Sequence, residues 1–287
     1  MAMPPSFKAF YERQALYFHD RYTTASKFQT SDAVHDMRVA LKRLRAFFNL
    51  LEAVNPFFRA ERSFAPARRL FRAAGKLRNL QVLQARARQA AQDFGLELSE
   101  YYNWLKAGER QEKKSFCRAC GRFDEDFFAV SWVSISSAVE GLTENEIAEA
   151  ASVRLEALLQ GLREEVSPGE DAQRLHFLRI RSKEARYALE ILQEGRPPDE
   201  DRVALDRFLK RVHQSLGRWH DDEIELEFLR RFQEGRAAGP LFSSRSYIEF
   251  FRRTEGRKTA NLEDFEAGWK ELSELLGKGT RPGAEPV

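Results

Sequence analysis

Apolar residues recur at helical spacing along almost the whole chain. Phe7, Phe10, Tyr11 and Phe18 mark the buried side of a first helix over 6–22, with Ser6 placed to cap it. Val34, Met37, Leu41, Leu44 and Phe48 form the apolar arc of a second, capped by Ser31 or Asp32 and running to about Val54, ahead of Asn55-Pro56. An arginine-rich third helix covers 60–73; Gly75 bends or breaks it before 77–91, and 99–123 reads as one helix or two. The second half keeps this order. A helix covers 143–162, with Glu146 at capping-box spacing from Thr143, and Ser167-Pro168-Gly169 makes a turn. The next helix runs to about Gln193 and stops at Gly195 and Pro197-Pro198. Residues 201–231 give one long helix or two that part near Gly217, and 243–276 closes the fold after a turn at Gly239-Pro240. Period-two alternation is confined to Val130-Ser131-Trp132-Val133-Ser134-Ile135, assigned to a connector. Residues 277–287 are expected to be a disordered tail. The fold class is all-α.

Two of these helices repeat one another. His35, Arg38, Lys42 and Arg45 stand at i, i+3, i+7 and i+10, and His176, Arg179, Lys183 and Arg186 repeat the spacing 141 residues later. Val34 with Leu175, Met37 with Leu178 and Phe48 with Leu189 match as well. Residue frequencies put a chance recurrence at roughly 0.003, so the pattern reads as an internal duplication. At about 100° per residue the four positions fall within roughly 80°, a stripe about 15 Å long. Each copy therefore carries a ridge of cations and imidazole bordering an apolar arc, where the lower dielectric strengthens attraction for an anion. Two such ridges suggest a shared, anion-binding cleft. A second element recurs at offset 142: Gly75-Lys76-Leu77-Arg78-Asn79 against Gly217-Arg218-Trp219-His220-Asp221. Arg68, Arg72 and Arg78 lie near one face of the first, and His213, Gly217 and His220 share a face of the second. A repeated glycine inside a helix points to a close helix approach or a kink.

A length of 287 residues allows one or two domains with a substantial core, and 43% hydrophobic with 32% charged residues describes a folded, charge-laced protein. The net charge of +3 conceals a segregation. Residues 34–90 hold 13 Lys and Arg against three acids, a local +10 that leaves −7 elsewhere. Arginine predominates, and its planar fork suits phosphate or carboxylate; a GC-rich genome would enrich it too. Neither a signal peptide nor a run of 18 apolar residues is evident, which makes a cytoplasmic location the expectation. Cys117 and Cys120 lack the partners of a zinc or redox site and read as incidental thiols.

V-H-x-x-R-V-x-x-K-R-x-R from Val34, L-H-x-x-R-I-x-x-K-x-x-R-Y-A-L-E from Leu175 and L-G-x-x-H-D from Leu216 resemble the CHAD family, the conserved histidine α-helical domain, over 6–276. The resemblance implies a single domain of two pseudo-symmetric helical bundles, 6–130 and 143–276, around a basic central channel that binds inorganic polyphosphate. Family members associate with polyphosphate granules, and some are fused to a triphosphatase-type domain, for which the CHAD-like region leaves no room here. Its histidines correspond to His35 and His176, its cationic helix positions to Arg38, Lys42, Arg45, Arg179, Lys183 and Arg186, and its L-G-x-x-H-D element to Leu216, Gly217, His220 and Asp221. Asn79 stands where the first half would be expected to carry Asp.

The functional expectation is a binder, without catalytic residues, cofactor or metal, whose site draws on these ridges together with Arg68, Arg72, Arg78, His213, Arg218 and His220. Its partners would be inorganic polyphosphate and polyphosphate-metabolising or granule-associated proteins, with no membrane. Tyr187 and Trp219, beside cations, are assigned to the core. A metal-dependent phosphohydrolase is the first alternative. His19-Asp20, His35-Asp36 and His220-Asp221 are dyads, but adjacent helical residues point about 100° apart and the ridges lack metal-binding acids. A nucleic-acid or partner-docking module is the second, and no zinc-finger, helix-turn-helix or RRM signature supports it.

Overall fold

In the computed structural model, which describes residues 5–164, 171–193, 200–235 and 245–278, the helical periodicity becomes nine α-helices and no strand among the described residues. They are α1 (Pro5–Phe28), α2 (Ser31–Val54), α3 (Ala60–Phe94), α4 (Ser99–Cys120), α5 (Phe127–Ala138), α6 (Glu144–Arg163), α7 (Ala172–Gln193), α8 (Glu200–Glu234) and α9 (Arg245–Lys278). The chain divides into two compact units, Met1–Ser152 with Phe228–Phe251, and Val153–Glu227 with Arg252–Val287. None of these helices is long and apolar enough to cross a membrane.

In the first unit, α1 packs on α2, α2 on α3, and α3 on α4 and α5. Val34, Met37, Leu41, Leu44, Phe47, Phe48 and Leu51 of α2 are buried at i, i+3, i+4 and i+7 steps. The facing stripe of α3 is rich in alanine, with Ala67, Ala74, Ala87 and Ala90 between Leu70, Leu77 and Leu83. Small residues leave room for long side chains from α2 to cross between the helices. Phe7, Phe10 and Tyr11 of α1 gather around the ring of Phe47, with centroids 5.7–6.0 Å apart. Residues 228–234 of α8 and 245–251 of α9 complete this unit beside α4. There the Tyr101 ring meets Phe232 at 5.4 Å, and the Tyr247 hydroxyl accepts from the Tyr101 backbone N–H at 3.2 Å.

Several boundaries differ from the sequence expectation. α1 starts at Pro5, so Ser6 lies within it, and it extends to Phe28 rather than Tyr22. Gln29 then turns the chain at φ 49°. Its side chain donates to the Ser26 carbonyl at 3.1 Å, and its own carbonyl accepts from Gln81 at 3.0 Å. Thr30, not Ser31 or Asp32, caps α2, accepting from the Ala33 N–H at 3.4 Å. α3 runs unbroken through Gly75 and ends on Gly95 in the left-handed region at φ 62°. α8 is likewise continuous through Gly217, and 99–120 forms one helix. The stretch given to a connector is helix α5: Phe127, Ser131, Ile135 and Ala138 are buried at spacings of four, four and three.

At the start of α6, still within the first unit, the capping box forms as expected. The Thr143 backbone N–H, at its lead-in, donates to Glu146 at 2.7 Å, and the Glu146 N–H donates to the Thr143 hydroxyl at 3.3 Å. α9 extends to Lys278, two residues past the expected end; the turns at 167–169, 195–198 and 239–240, and the tail beyond Lys278, lie outside the described residues. A charged network ties α9 to α8. Arg257 donates to Asp222 at 2.8 Å and to Glu225 at 2.6 Å, and both carboxylate side chains are 0% exposed. The Asn261 amide donates to the other Asp222 oxygen at 2.7 Å. Removing one partner of such a pair strands buried charge. Arg257→Met should therefore lower unfolding free energy by roughly 3 kcal/mol in urea denaturation; a loss under about 1 kcal/mol would show the carboxylates to be satisfied without it.

Candidate functional site

Along α2, His35, Arg38, Lys42 and Arg45 border the buried arc. His35 and Arg45 are exposed, Arg38 and Lys42 half-buried. Arg38 is tucked against α3: its Nη1 donates to the Phe71 carbonyl at 2.6 Å, and its guanidinium lies 4.6 Å above the Phe71 ring centroid. This route passes Gly75, where an added Cβ would come within 2.5 Å of Nη1. The glycine thus answers to a close approach, not to a kink. Arg78 of α3 donates to the Ser31 carbonyl at 3.1 Å and to the Ser31 hydroxyl at the start of α2. Burial, with Arg78 close by, pulls the Arg38 pKa down to about 10, which still leaves it cationic at neutral pH. Although much of the residue is exposed, partial desolvation of the ring and then the charges of Arg78 and Lys42 push His35 below the usual imidazole range. The four groups make one positive cluster.

Arg45 and Arg68 are brought together further along, sharing Glu61 of α3. Its Oε1 lies 2.5 Å from Arg45 Nη2, and its Oε2 lies 2.6 Å from Arg68 Nη2. Arg72 is exposed on the same helix.

The second unit builds a related cluster from α7 and α8. The rings of His176 and His220 lie 5.4 Å apart at 52°. Arg179, Lys183 and Arg186 are half-buried, and the Nε atoms of Arg179 and Arg186 are buried with no hydrogen-bond partner. Arg186 stacks 4.8 Å over Tyr187, which is buried, as is Trp219. Burial lowers the pKa of Arg179, with Asp221 opposing. Burial, then Arg179 and Lys183, lowers His176. Burial, then Arg179 and His176, brings His220 down to about 4. His35–Arg38–Arg78 and His176–Arg179–His220 therefore occupy matching places in the repeated motifs.

Two candidates from this half behave differently. Arg218 turns away to α9, its Nε donating to Asn261 at 2.9 Å and its Nη2 to Asp264 at 3.1 Å. Two helical positions apart, residues 218 and 220 point about 200° from each other, so Arg218 cannot follow His220. An added Cβ at Gly217 would meet nothing within 4 Å, unlike Gly75. His213 is half-buried on α8. Sequence reasoning missed Glu61, although it stands seven residues before Arg68 on the same helical face. It also missed the Ser31 and Phe71 acceptors, which only tertiary packing brings into reach. Among the described residues no three His, Cys, Asp or Glu side chains are grouped to hold a metal ion. Cys117 is exposed, while burial and then Cys117 push the Cys120 thiol up to about 12.

A family model described as the CHAD domain matches residues 19–230. The crystal structure of the CHAD domain from the plant Ricinus communis is similar at a TM-score of 0.74 and 20% identity, over 92% of this chain and 90% of that one. PptA from Streptomyces chartreusis matches at a TM-score of 0.67 and 15% identity, over 92% of this chain and 98% of that one. No curated protein matches the sequence significantly.

The depressed imidazole of His220 has a consequence for stability. Well above pH 6.5, at about pH 7.5 and higher, it is neutral in both the folded and unfolded chain, and its contribution is complete. As pH falls toward 4, the unfolded chain takes up the proton first and stability is lost, by on the order of 2 kcal/mol. Melting temperature measured from neutral pH down to about pH 4.5 should fall less steeply in His220→Gln than in the wild type. Parallel curves would contradict the assignment.

Proposed function

The chain belongs to the CHAD domain family, and from that membership we propose that it binds inorganic polyphosphate through the cationic ridges of α2 and α7. The observation that carries this reading is the pair of clusters, His35–Arg38–Arg78 and His176–Arg179–His220, each set at the border of an apolar core. Two arginines of the ridges lean on neutral groups. Arg38 rests on a carbonyl and a ring, Arg186 rests on a ring, and the Nε donors of Arg179 and Arg186 are unpartnered. Such donors are desolvated already and gain most from an incoming phosphoryl oxygen.

Each residue type then has a distinct task. Arginine forks fit phosphoryl oxygens, while Lys42 and Lys183 add mobile point charge. The histidines, neutral in the free protein, take up a proton more readily once an anion lies beside them, so binding tightens as pH falls. Polyphosphate has no bases to read, so counterion release dominates affinity and the site needs charge density rather than base-edge hydrogen bonds. The role is binding, with no catalytic residue assigned, in association with polyphosphate granules or with proteins of polyphosphate metabolism.

Replacing Arg38, Lys42, Arg179 and Lys183 together by Ala should abolish retention on immobilised polyphosphate at moderate salt while far-UV circular dichroism stays helical. The pair Lys42→Ala and Lys183→Ala, which leaves the packed arginines in place, should weaken retention without loss of helicity. Undiminished retention by the quadruple variant would contradict the proposal.

A further inference from the structure

Glu61 is the sole acid between residues 53 and 92, in the most basic part of the chain. It stands in the first turn of α3, and its two carboxylate oxygens take one guanidinium each, Arg45 from α2 and Arg68 from α3, at 2.5 and 2.6 Å. Two forks converging on two oxygens of one small anion is the arrangement that a phosphoryl group would also satisfy. Both guanidiniums have anchors that do not depend on this carboxylate. Arg68 Nη2 also donates to the Glu61 backbone carbonyl at 3.1 Å. Arg45 stands 5.6 Å over the ring of Phe64, which is 1% exposed. The Glu61 side chain itself is 59% exposed, so it can rotate into water. Ion pairs so exposed are weak.

Building on the polyphosphate reading, we infer that Arg45 and Arg68 form a single phosphoryl subsite with Glu61 as its resident counter-ion, and that Glu61 makes the α2 ridge select phosphate chains over single phosphates. A lone phosphate must displace Glu61 with its own binding energy. A chain already held at Arg38 and Lys42 presents its next phosphate at high effective concentration, since Arg45 lies only about 4.5 Å further along the helix axis. Displacing Glu61 costs the same for either ligand, but a lone phosphate at this subsite bears all of that cost, whereas a chain keeps its hold on Arg38 and Lys42 whether or not Glu61 yields; the carboxylate therefore penalises short anions more than long ones.

The test is calorimetric titration of Glu61→Gln, Glu61→Ser and the wild type with orthophosphate, tripolyphosphate and long-chain polyphosphate. Asp93→Asn at the far end of α3 serves as a control for general charge removal. Both Glu61 variants should bind the short anions roughly three- to tenfold more tightly. They should bind the long chain with a smaller gain, so that selectivity for length narrows. Adding Arg45→Ala should erase the improvement. A gain no larger than that of Asp93→Asn, an equal gain for all three ligands, or a gain that survives Arg45→Ala would each overturn the inference. If the wild type bound no polyphosphate, the functional reading would fall and this one with it; binding by the wild type with unresponsive Glu61 variants would sink this inference alone.

Discussion

A guanidinium withdrawn partly from water has to be satisfied, and the way Arg38 is satisfied governs the rest of the α2 ridge. A carboxylate would hold it firmly but cancel its charge. A carbonyl and an aromatic face hold it and leave the charge in place. Phe71 supplies both, and Gly75 opens the path by which Arg38 reaches them. The cost is visible in the lowered pKa of Arg38 and in the depressed imidazole of His35 beside it. The proposed polyphosphate site draws on this crowding of like charge, which an external anion would relieve.

The second unit meets the same problem by other means. His220 stands at the motif position of Arg78, so a residue that can shed its charge replaces one that cannot. Neutral His176 and His220 lie ring to ring beside Arg179, whose buried Nε has no partner. Both units therefore carry permanent cations, but the first sets one histidine among them and the second sets two, so a larger share of the second cluster's charge varies with pH.

Much of this was legible in the sequence because helical periodicity and cation spacing are local properties. The apolar arc of α2 and its bordering cations read directly from the helical wheel. α5 was misread because six residues of apparent alternation are too few to separate period two from a helix buried at Phe127, Ser131 and Ile135. Gly75 signalled a close approach, but nothing local identified Arg38 as the side chain that makes it. The same glycine signal at Gly217 led nowhere, since open space surrounds that position. Arg218 was drawn into the site by alignment, whereas packing commits it to Asn261 and Asp264 on α9. Asp222 and Glu225 look like surface acids on α8, and it is the arrival of α9, with Arg257 35 and 32 residues later and Asn261 on Asp222, that helps make their burial tenable.

Whether the cations of both ridges take a phosphate polymer is decided by titrating the protein with defined-length polyphosphate at several salt concentrations, with RNA as competitor. Log K should fall linearly and steeply with log salt, and RNA of equal charge should fail to displace the polymer. Binding that is indifferent to salt, or that RNA abolishes at equal charge, would contradict a polyphosphate role.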